Sequence, residues 1–208
     1  MGLRFCPLFS GSDGNCCFLE VDNKRYLIDA GFSGKKIESN LKCLGVDPST
    51  IDLIFLTHEH IDHIRGAGVL SRRYDIKICS NVETLTAGAS KLGKIKDENI
   101  VVIGTEKKHR FSLFDLYTLE ISHDCARGMG FVFNTDYGKV SLLTDTGIIT
   151  NHMKEKIKGS KIFYFEANHD LEMLKKGPYD YNLKQRILGD FGHISNVTSG
   201  NVLSEVVT

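Results

Sequence analysis

The apolar residues of this chain fall into short runs, separated by stretches in which apolar and polar positions alternate with helical spacing. This pattern is typical of α/β proteins, in which helices cover the faces of β-sheets. Runs rich in β-branched and aromatic residues predict strands at 25–29, 52–57, 76–79, 100–102, 116–122, 130–134, 140–144 and 162–166. Amphipathic stretches predict helices at 35–44, 151–158, 171–176, 181–188 and from about 197 to the C-terminus. We therefore expect two packed sheets, or one large sheet, covered by helices.

The length and composition are those of an ordinary globular domain. The chain has 208 residues, of which 41% are hydrophobic and 25% are charged, so it can bury a substantial core. No segment has the composition of a linker or a low-complexity region. These observations predict a single domain that spans residues 1–208.

Charge and cysteine content bear on the binding partners of the protein and on its cellular compartment. Lys and Arg together number 26, as do Asp and Glu, so no overall field favours nucleic acid or a membrane, although a local basic patch would suffice for nucleic acid. The six cysteines are scattered without a CxxC pair, which favours reduced thiols. The N-terminus lacks the apolar region of a signal peptide, and no apolar run approaches the ~18 residues of a membrane span. We expect a cytoplasmic protein without a membrane partner, and the sequence favours no particular oligomeric state.

The most informative stretch is a histidine-rich motif that follows the predicted strand at 52–57. It contains His58, His60, Asp62 and His63. Residues two apart on extended backbone project to the same side, so His58 and His60 can share one metal ion. Asp62 and His63 follow where the chain should turn into a helix, and they can face a second ion. The alternative is a surface loop that is rich in histidine by chance, but three of eight histidines within six positions are uncommon.

Two later residues are candidates for further metal ligands. His123 and Asp145 each end a strand-like run, where a side chain can reach the edge of a sheet. A carboxylate has two oxygens and can bridge two ions, which suits Asp145. Alone, His123 would be a core or loop histidine and Asp145 a turn residue, but their order after the first motif favours ligands. Mixed His/Asp ligation permits manganese or iron as well as zinc, which we favour.

These motifs together resemble those of the metallo-β-lactamase superfamily. The resemblance rests on the HxHxDH string at 58–63, the upstream strand that ends in Asp29, and the later His123 and Asp145. It implies an α/β fold of the αββα four-layer sandwich type, with one or two divalent metal ions at one edge of the paired sheets. It also implies a hydrolase in which Asp62 binds the second ion and takes a proton from the attacking water.

Three further strings resemble the YycJ/WalJ-like branch of this superfamily, which is associated with exonuclease action on DNA. They are SGSDGN at 10–15, FEANHD at 165–170 and GHISN at 192–196. Glu166 and His193 also resemble a glutamate and a histidine of the ribonuclease Z branch. That resemblance implies that His193, oriented by Glu166, protonates the leaving oxygen. The alternatives are a helix-capping or surface carboxylate for Glu166 and a loop residue that caps the next helix for His193.

Several basic residues could contact the phosphates of a nucleic acid. They are Arg65, Arg72, Arg73, Lys107, Lys108, Arg110, Lys175 and Lys176. Such runs are more often solvated faces, and Arg72 and Arg73 interest us most because they follow the metal motif closely. The glycine-rich loop at 10–15 could offer backbone N–H groups to a phosphate, or it could be a tight hairpin connection.

Three functions are compatible with these residues. The leading hypothesis is a metal-dependent phosphodiesterase, an exonuclease that acts on DNA through a metal-activated hydroxide. The second is a small-molecule hydrolase that cleaves a thioester, a lactone or a cyclic phosphodiester at the same metal site. Such branches often carry substrate contacts in long C-terminal segments, for which this chain is short. The third is a non-catalytic binding protein, against which the intact ligand string argues.

The resemblance implies one more histidine than the sequence offers. Dinuclear members usually have a histidine on a late strand after the bridging aspartate, which completes the ligands of the second metal. The histidines after Asp145 are His152, His169 and His193, and the first two are poor substitutes. Either His193 is the ligand or, as we favour, the chain is a truncated form of a longer protein and binds the second ion weakly.

Overall fold

The computed structural model describes residues 2–207, which fall into two compact units. The first unit contains the described residues up to Gly104 together with Cys125–Arg127. The second unit contains Thr105–Asp124 and the described residues from Gly128 onward. Each unit has one β-sheet and its own helices, which confirms the predicted α/β class. The expectation of a single domain stays a prediction.

The first unit contains a six-stranded sheet whose spatial order follows the order of the chain. Its strands are β1 (Leu3–Phe9), β2 (Cys16–Val21), β3 (Lys24–Ile28), β4 (Leu53–Phe55), β5 (Lys77–Ser80) and β6 (Ile100–Val102). The first three pair antiparallel, whereas β3, β4, β5 and β6 pair parallel. Parallel neighbours need crossover connections, and these carry α1 (Gly34–Cys43), α2 (Ile61–Ile64), α3 (Ala67–Tyr74) and α4 (Val82–Leu92).

The centre of this sheet is buried, as the apolar run at 52–57 predicts. All three residues of β4 are buried. Ile54 of β4 and Ile78 of β5 share a core cluster with Ile37 and Leu41, which lie one turn apart on α1. A parallel strand covered by helices is apolar on both faces for this reason. The core therefore fixes the carboxyl end of β4, from which the histidine motif continues.

The second unit contains a five-stranded sheet in the order β11-β10-β9-β8-β7. Its strands are β7 (Lys108–Arg110), β8 (Phe114–Glu120), β9 (Met129–Thr135), β10 (Gly138–Leu143) and β11 (Ile162–Phe165). Only the pair of β10 and β11 is parallel among these strands. The helices are α5 (Asn151–Ile157), α6 (Leu171–Lys176), α7 (Tyr181–Leu188) and α8 (Asn196–Val206). A core cluster joins Met153 of α5 and Val202 of α8 to Leu143 of β10.

Helix ends follow the glycine signals of the sequence. α1 begins after Ser33, whose side chain accepts a hydrogen bond from the Lys36 backbone N–H, and the chain leaves the helix through Gly45 at φ +72°. α5 is followed by Gly159 at φ +71°. A left-handed residue after the last turn favours glycine, which has no Cβ to clash.

The structure adds elements that the sequence did not predict. Among them are β2, β7, α3 and α4. The sequence of α4, VETLTAGASKL, contains threonine, serine and glycine, which are weak helix formers. β7 lies at the edge of its sheet and consists of Lys, His and Arg, the type of residue that protects an exposed edge. The basic run at 107–110 is therefore largely an edge strand.

The cysteines agree with the expectation from their scattered positions in the sequence. All six cysteines are free thiols, as predicted. Burial raises the pKa of the Cys79 thiol to about 12, so this thiol stays protonated at neutral pH. Within residues 2–207, no helix combines the length and apolar character that crossing a membrane requires.

Candidate metal centre

The histidine motif of the first unit runs from the turn after β4 into α2. His58 and His63 are almost completely buried. The ring centroid of His58 is 4.7 Å from that of His60 and 4.1 Å from that of His63. Asp62, at the start of α2, has a carboxylate oxygen 3.5 Å from Nε2 of His63. The structure thus brings all four predicted ligands of this motif together.

Asp29 orients the ring of His63 through a contact with Nδ1. Its buried carboxylate accepts hydrogen bonds from the Thr57 backbone N–H (2.8 Å) and the Thr57 hydroxyl (2.9 Å), and one of its oxygens is 2.8 Å from Nδ1 of His63. Because Nδ1 faces a carboxylate, Nε2 is the nitrogen of His63 that is available to a metal ion. Asp29 has φ +60°, a conformation that Asp adopts more readily than most residues and that often marks functional sites.

The glycine-rich loop at 10–15 also contacts the motif. The side-chain amide of Asn15 lies 3.1 Å from Nε2 of His63, and the Asn15 backbone N–H donates to the carbonyl of Asp62. Gly31 packs against the same carbonyl: a Cβ at Gly31 would lie 1.6 Å from that oxygen. Only glycine fits such an approach. The sequence analysis noted the loop at 10–15 but did not predict its contact with the metal motif.

Glu59, between two of the histidines, has a structural partner far along the chain. Its carboxylate accepts a hydrogen bond from the Ala126 backbone N–H (2.8 Å), and its carbonyl accepts one from the Lys91 ammonium (2.9 Å). The neighbouring Arg127 carbonyl accepts from the Asn81 amide (2.7 Å). These bonds attach Cys125–Arg127 to the first unit. The sequence analysis missed this role of Glu59, because no local pattern marks its carboxylate as the acceptor of a distant N–H.

The remaining predicted ligands lie together in the second unit. His123 follows β8 and Asp145 follows β10, as predicted. Ligand atoms of His123, Asp145 and His193 all lie within 4.8 Å of one another. Asp145, which follows β10, has φ +52°. Asp29, which follows β3, also has a left-handed backbone conformation.

Glu166 and His193 form the hydrogen-bonded pair that their resemblance implied. Nδ1 of His193 is 2.5 Å from a carboxylate oxygen of Glu166, whose other oxygen accepts from the Thr146 backbone N–H (2.8 Å). Glu166 is buried, and burial raises the pKa of its carboxyl above the ordinary value, against the opposing effect of the His193 hydrogen bond. Burial lowers the pKa of His193, but the hydrogen bond to Glu166 and the charges of Glu166 and Asp145 outweigh it, so the net pKa is raised. The pair therefore retains a proton to higher pH than isolated groups would.

The two arginines that interested us most as phosphate contacts have structural partners. Arg72 donates to the carbonyl oxygens of Leu92 (2.7 Å) and Lys94 (3.2 Å). Arg73 forms an ion pair with Glu38. Both guanidinium groups therefore hold parts of the first unit together.

His152, on α5, has a side-chain partner of its own: its Nε2 lies 3.0 Å from a carboxylate oxygen of Glu106.

The donor sets of both units suit divalent metal ions. The first unit offers three imidazoles and a carboxylate, and the second offers two imidazoles and a carboxylate within ligand distance of one another. Zinc and related ions take these nitrogen and oxygen donors. Asp29 supplies the carboxylate contact behind a histidine that typically accompanies such ligands.

Comparison with known proteins establishes the class. Residues 10–133 match the family model of the metallo-β-lactamase superfamily, so the chain belongs to this superfamily, as its motifs predicted. It is 38% identical over 208 residues to the exodeoxyribonuclease YycJ of Bacillus anthracis, an alignment that covers all of this chain and 79% of that protein. It is 39% identical over 198 residues to the exodeoxyribonuclease WalJ of Streptococcus pneumoniae D39, covering 94% of this chain and 74% of the relative. The predicted YycJ/WalJ-like branch is confirmed.

Solved structures confirm the fold. The short form of human tRNase Z superposes with a TM-score of 0.73 at 15% identity, over 97% of this chain and 88% of that chain. A β-lactamase from Chitinophaga pinensis gives a TM-score of 0.63 at 14% identity, over 98% and 88%. The chain has the metallo-β-lactamase fold, and its family together with its His/Asp donors implies divalent metal ions.

Proposed function

We propose that this protein is a metal-dependent exonuclease that digests DNA. The observation that carries the proposal is 38–39% identity to two exodeoxyribonucleases over at least 94% of the chain. The donor sets of the two units support it because they supply the residue types that this chemistry needs. A reducing, cytoplasmic compartment fits a chain with six free thiols.

The predicted ligands divide into two groups in this proposal. His58, His60, Asp62 and His63 of the first unit, and His123 and Asp145 of the second unit, would hold one or two divalent ions. We favour zinc, with manganese or iron as alternatives. When bound, the ions supply an activated hydroxide and neutralise charge on the phosphate.

Protein groups account for the proton transfers of the reaction. Asp62, exposed enough to meet solvent, accepts a proton from the attacking water. His193 donates a proton to the departing alkoxide, and Glu166 orients its ring through the 2.5 Å hydrogen bond. The raised pKa of His193 supports this role because an acid must be protonated when the substrate binds.

A substrate panel tests the proposal. Purified protein is incubated with linear and circular single-stranded DNA, duplex DNA, RNA, a thioester and bis-p-nitrophenyl phosphate. We expect metal-dependent digestion of linear DNA to nucleotides, with circular DNA resistant because it has no end. Digestion of circular DNA would contradict exonuclease action, and hydrolysis of the thioester without digestion of DNA would contradict the substrate class.

The role of His193 as the general acid is tested with two substrates that differ in their leaving group. His193→Ala should slow DNA cleavage by ~100-fold or more, the usual scale of acid–base catalysis. It should slow bis-p-nitrophenyl phosphate much less because nitrophenolate departs without a proton. His152→Ala, which removes an exposed histidine of α5, is the matched control. Equal losses on both substrates, accompanied by lost metal, would make His193 a ligand instead, a role compatible with its distance to His123 and Asp145.

A further inference from the structure

The short loop Gly189–Gly192 between α7 and His193 carries an exposed aromatic side chain. Phe191 is 65% exposed although the next residue, Gly192, is buried and closely packed. Single exposed apolar residues are common on protein surfaces, so exposure alone carries no function. What distinguishes Phe191 is how firmly its backbone is held, and by which residues.

The loop is locked against the end of α7. The Gly192 backbone N–H donates to the carbonyl of Gly189 (2.9 Å), and the His193 N–H donates to the carbonyl of Ile187 (2.9 Å). A Cβ at Gly192 would lie 2.2 Å from the carbonyl oxygen of Arg186. This packing excludes any larger residue at Gly192. The Phe191 side chain is thus projected into solvent by a backbone that has little freedom.

The same loop is fastened to both strand ends that carry predicted ligands in the second unit. The Ser122 hydroxyl, next to His123, donates to the carbonyl of Asp190 (2.7 Å). Gly147, two residues after Asp145, packs so closely that its Cβ would lie 2.3 Å from that carbonyl oxygen. Phe191 directly follows Asp190. Its position is therefore fixed relative to the ligands and to the acid.

We propose that Phe191 stacks on a nucleobase of the strand being digested. This inference rests on the proposed DNA substrate. A phosphate at His123, Asp145 and His193 is joined to its base by a few bonds of the sugar, and Phe191 lies two residues before His193 on a loop whose backbone is bonded beside His123, so we assign its exposed ring to that base. Stacking on an aromatic ring tolerates every base, as an enzyme that digests DNA of any sequence requires.

The test separates stacking from other uses of an apolar side chain. The substrates are a single-stranded oligonucleotide and the same oligonucleotide with abasic sites at the nucleotides next to the digested end. Phe191→Ala should raise KM for the first substrate by roughly tenfold or more, the range of one base–aromatic stack, with a smaller change in kcat. Phe191→Trp should restore KM, whereas Phe191→Leu should not. On the abasic substrate all four proteins should have similar KM values.

Controls keep the result interpretable. Met173→Ala removes an apolar side chain of α6 that is 75% exposed, and its KM should stay within about twofold of the wild-type value. An equal rise in KM for Phe191→Ala on normal and abasic substrates would overturn the inference, as would full function of Phe191→Leu. If wild-type protein hydrolyses bis-p-nitrophenyl phosphate but no DNA, the proposed function fails and this inference fails with it. If wild-type protein digests DNA and Phe191→Ala does so with unchanged KM, only this inference fails.

Discussion

Asp29 links the fold of the first unit to its predicted metal ligands, and replacing Asp29 by asparagine tests that link. The asparagine carbonyl can still accept the hydrogen bond from the Thr57 backbone N–H. The amide group that replaces the second oxygen cannot accept from Nδ1 of His63, which is 2.8 Å from that position. The substitution therefore changes the partner of one histidine nitrogen while keeping size and most of the packing.

The expected magnitude follows from these contacts. Loss of the carboxylate behind a metal-bound histidine typically costs 10–100-fold in metal affinity, or about 1.4–2.7 kcal/mol. The free energy of unfolding of metal-free protein should fall by about 1–3 kcal/mol because a buried donor loses its acceptor. We expect the affinity loss to fall on the ion held by His63.

Calorimetric titration with Zn²⁺ and urea unfolding of metal-free protein measure the two effects. Asp52→Asn is the matched control, since Asp52 accepts from the Lys24 ammonium (2.6 Å) and the Arg25 N–H (2.9 Å) but contacts no predicted ligand. Asp52→Asn should lower the free energy of unfolding modestly and leave the affinity for Zn²⁺ unchanged. Unchanged metal affinity in Asp29→Asn, or equal weakening in both variants, would refute the argument.

Four further predictions concern candidate residues of both units. Asp62→Ala should abolish DNA digestion while leaving thermal unfolding of the metal-loaded protein near normal; retention of most activity would remove Asp62 from the mechanism. The raised pKa of His193 predicts that DNA digestion falls as the pH rises through that pKa, a decline that bis-p-nitrophenyl phosphate hydrolysis should lack. The stability contribution of the Glu166–His193 pair should likewise be complete below the ordinary histidine pKa and disappear as the pH rises through the raised value, which urea unfolding across pH can measure. Gly31→Ala should lower the free energy of unfolding by ~3 kcal/mol or more, since a Cβ there would lie 1.6 Å from the Asp62 carbonyl oxygen; a loss below about 1 kcal/mol would contradict the close packing.

The sequence predicted the candidate ligands that belong to local motifs and follow one another in a typical order along the chain. The HxHxDH string at 58–63 follows a buried strand, and both features are visible within a dozen residues. His123 and Asp145 were predicted because they end strand-like runs, and the strands are present. The helices at 171–176 and 181–188 were predicted to the residue because their caps and breakers are local.

Contacts between distant segments were beyond this kind of reasoning. Glu59 bonds Ala126 across 67 residues, and no local pattern marks that acceptor. Asn15 approaches His63 across 48 residues, although both strings had been noted separately. The side-chain partners of Arg72 and Arg73 also come from other helices and loops. The position of Arg72 and Arg73 near the metal motif therefore does not by itself indicate a phosphate contact.

The strand order of the first sheet has a consequence for the synthesis of the protein. Each of its strands pairs with the strand made just before it, so a pairing partner is already outside the ribosome when a new strand emerges. Asp29, His58 and His63 all belong to the first 63 residues, and we expect them to assemble while the later ligands are still being translated. Of the residues described in this unit, only Cys125–Arg127 are made after Gly104. The carboxylate of Glu59 must wait for them, which makes its bond to Ala126 one of the last steps in folding the first unit.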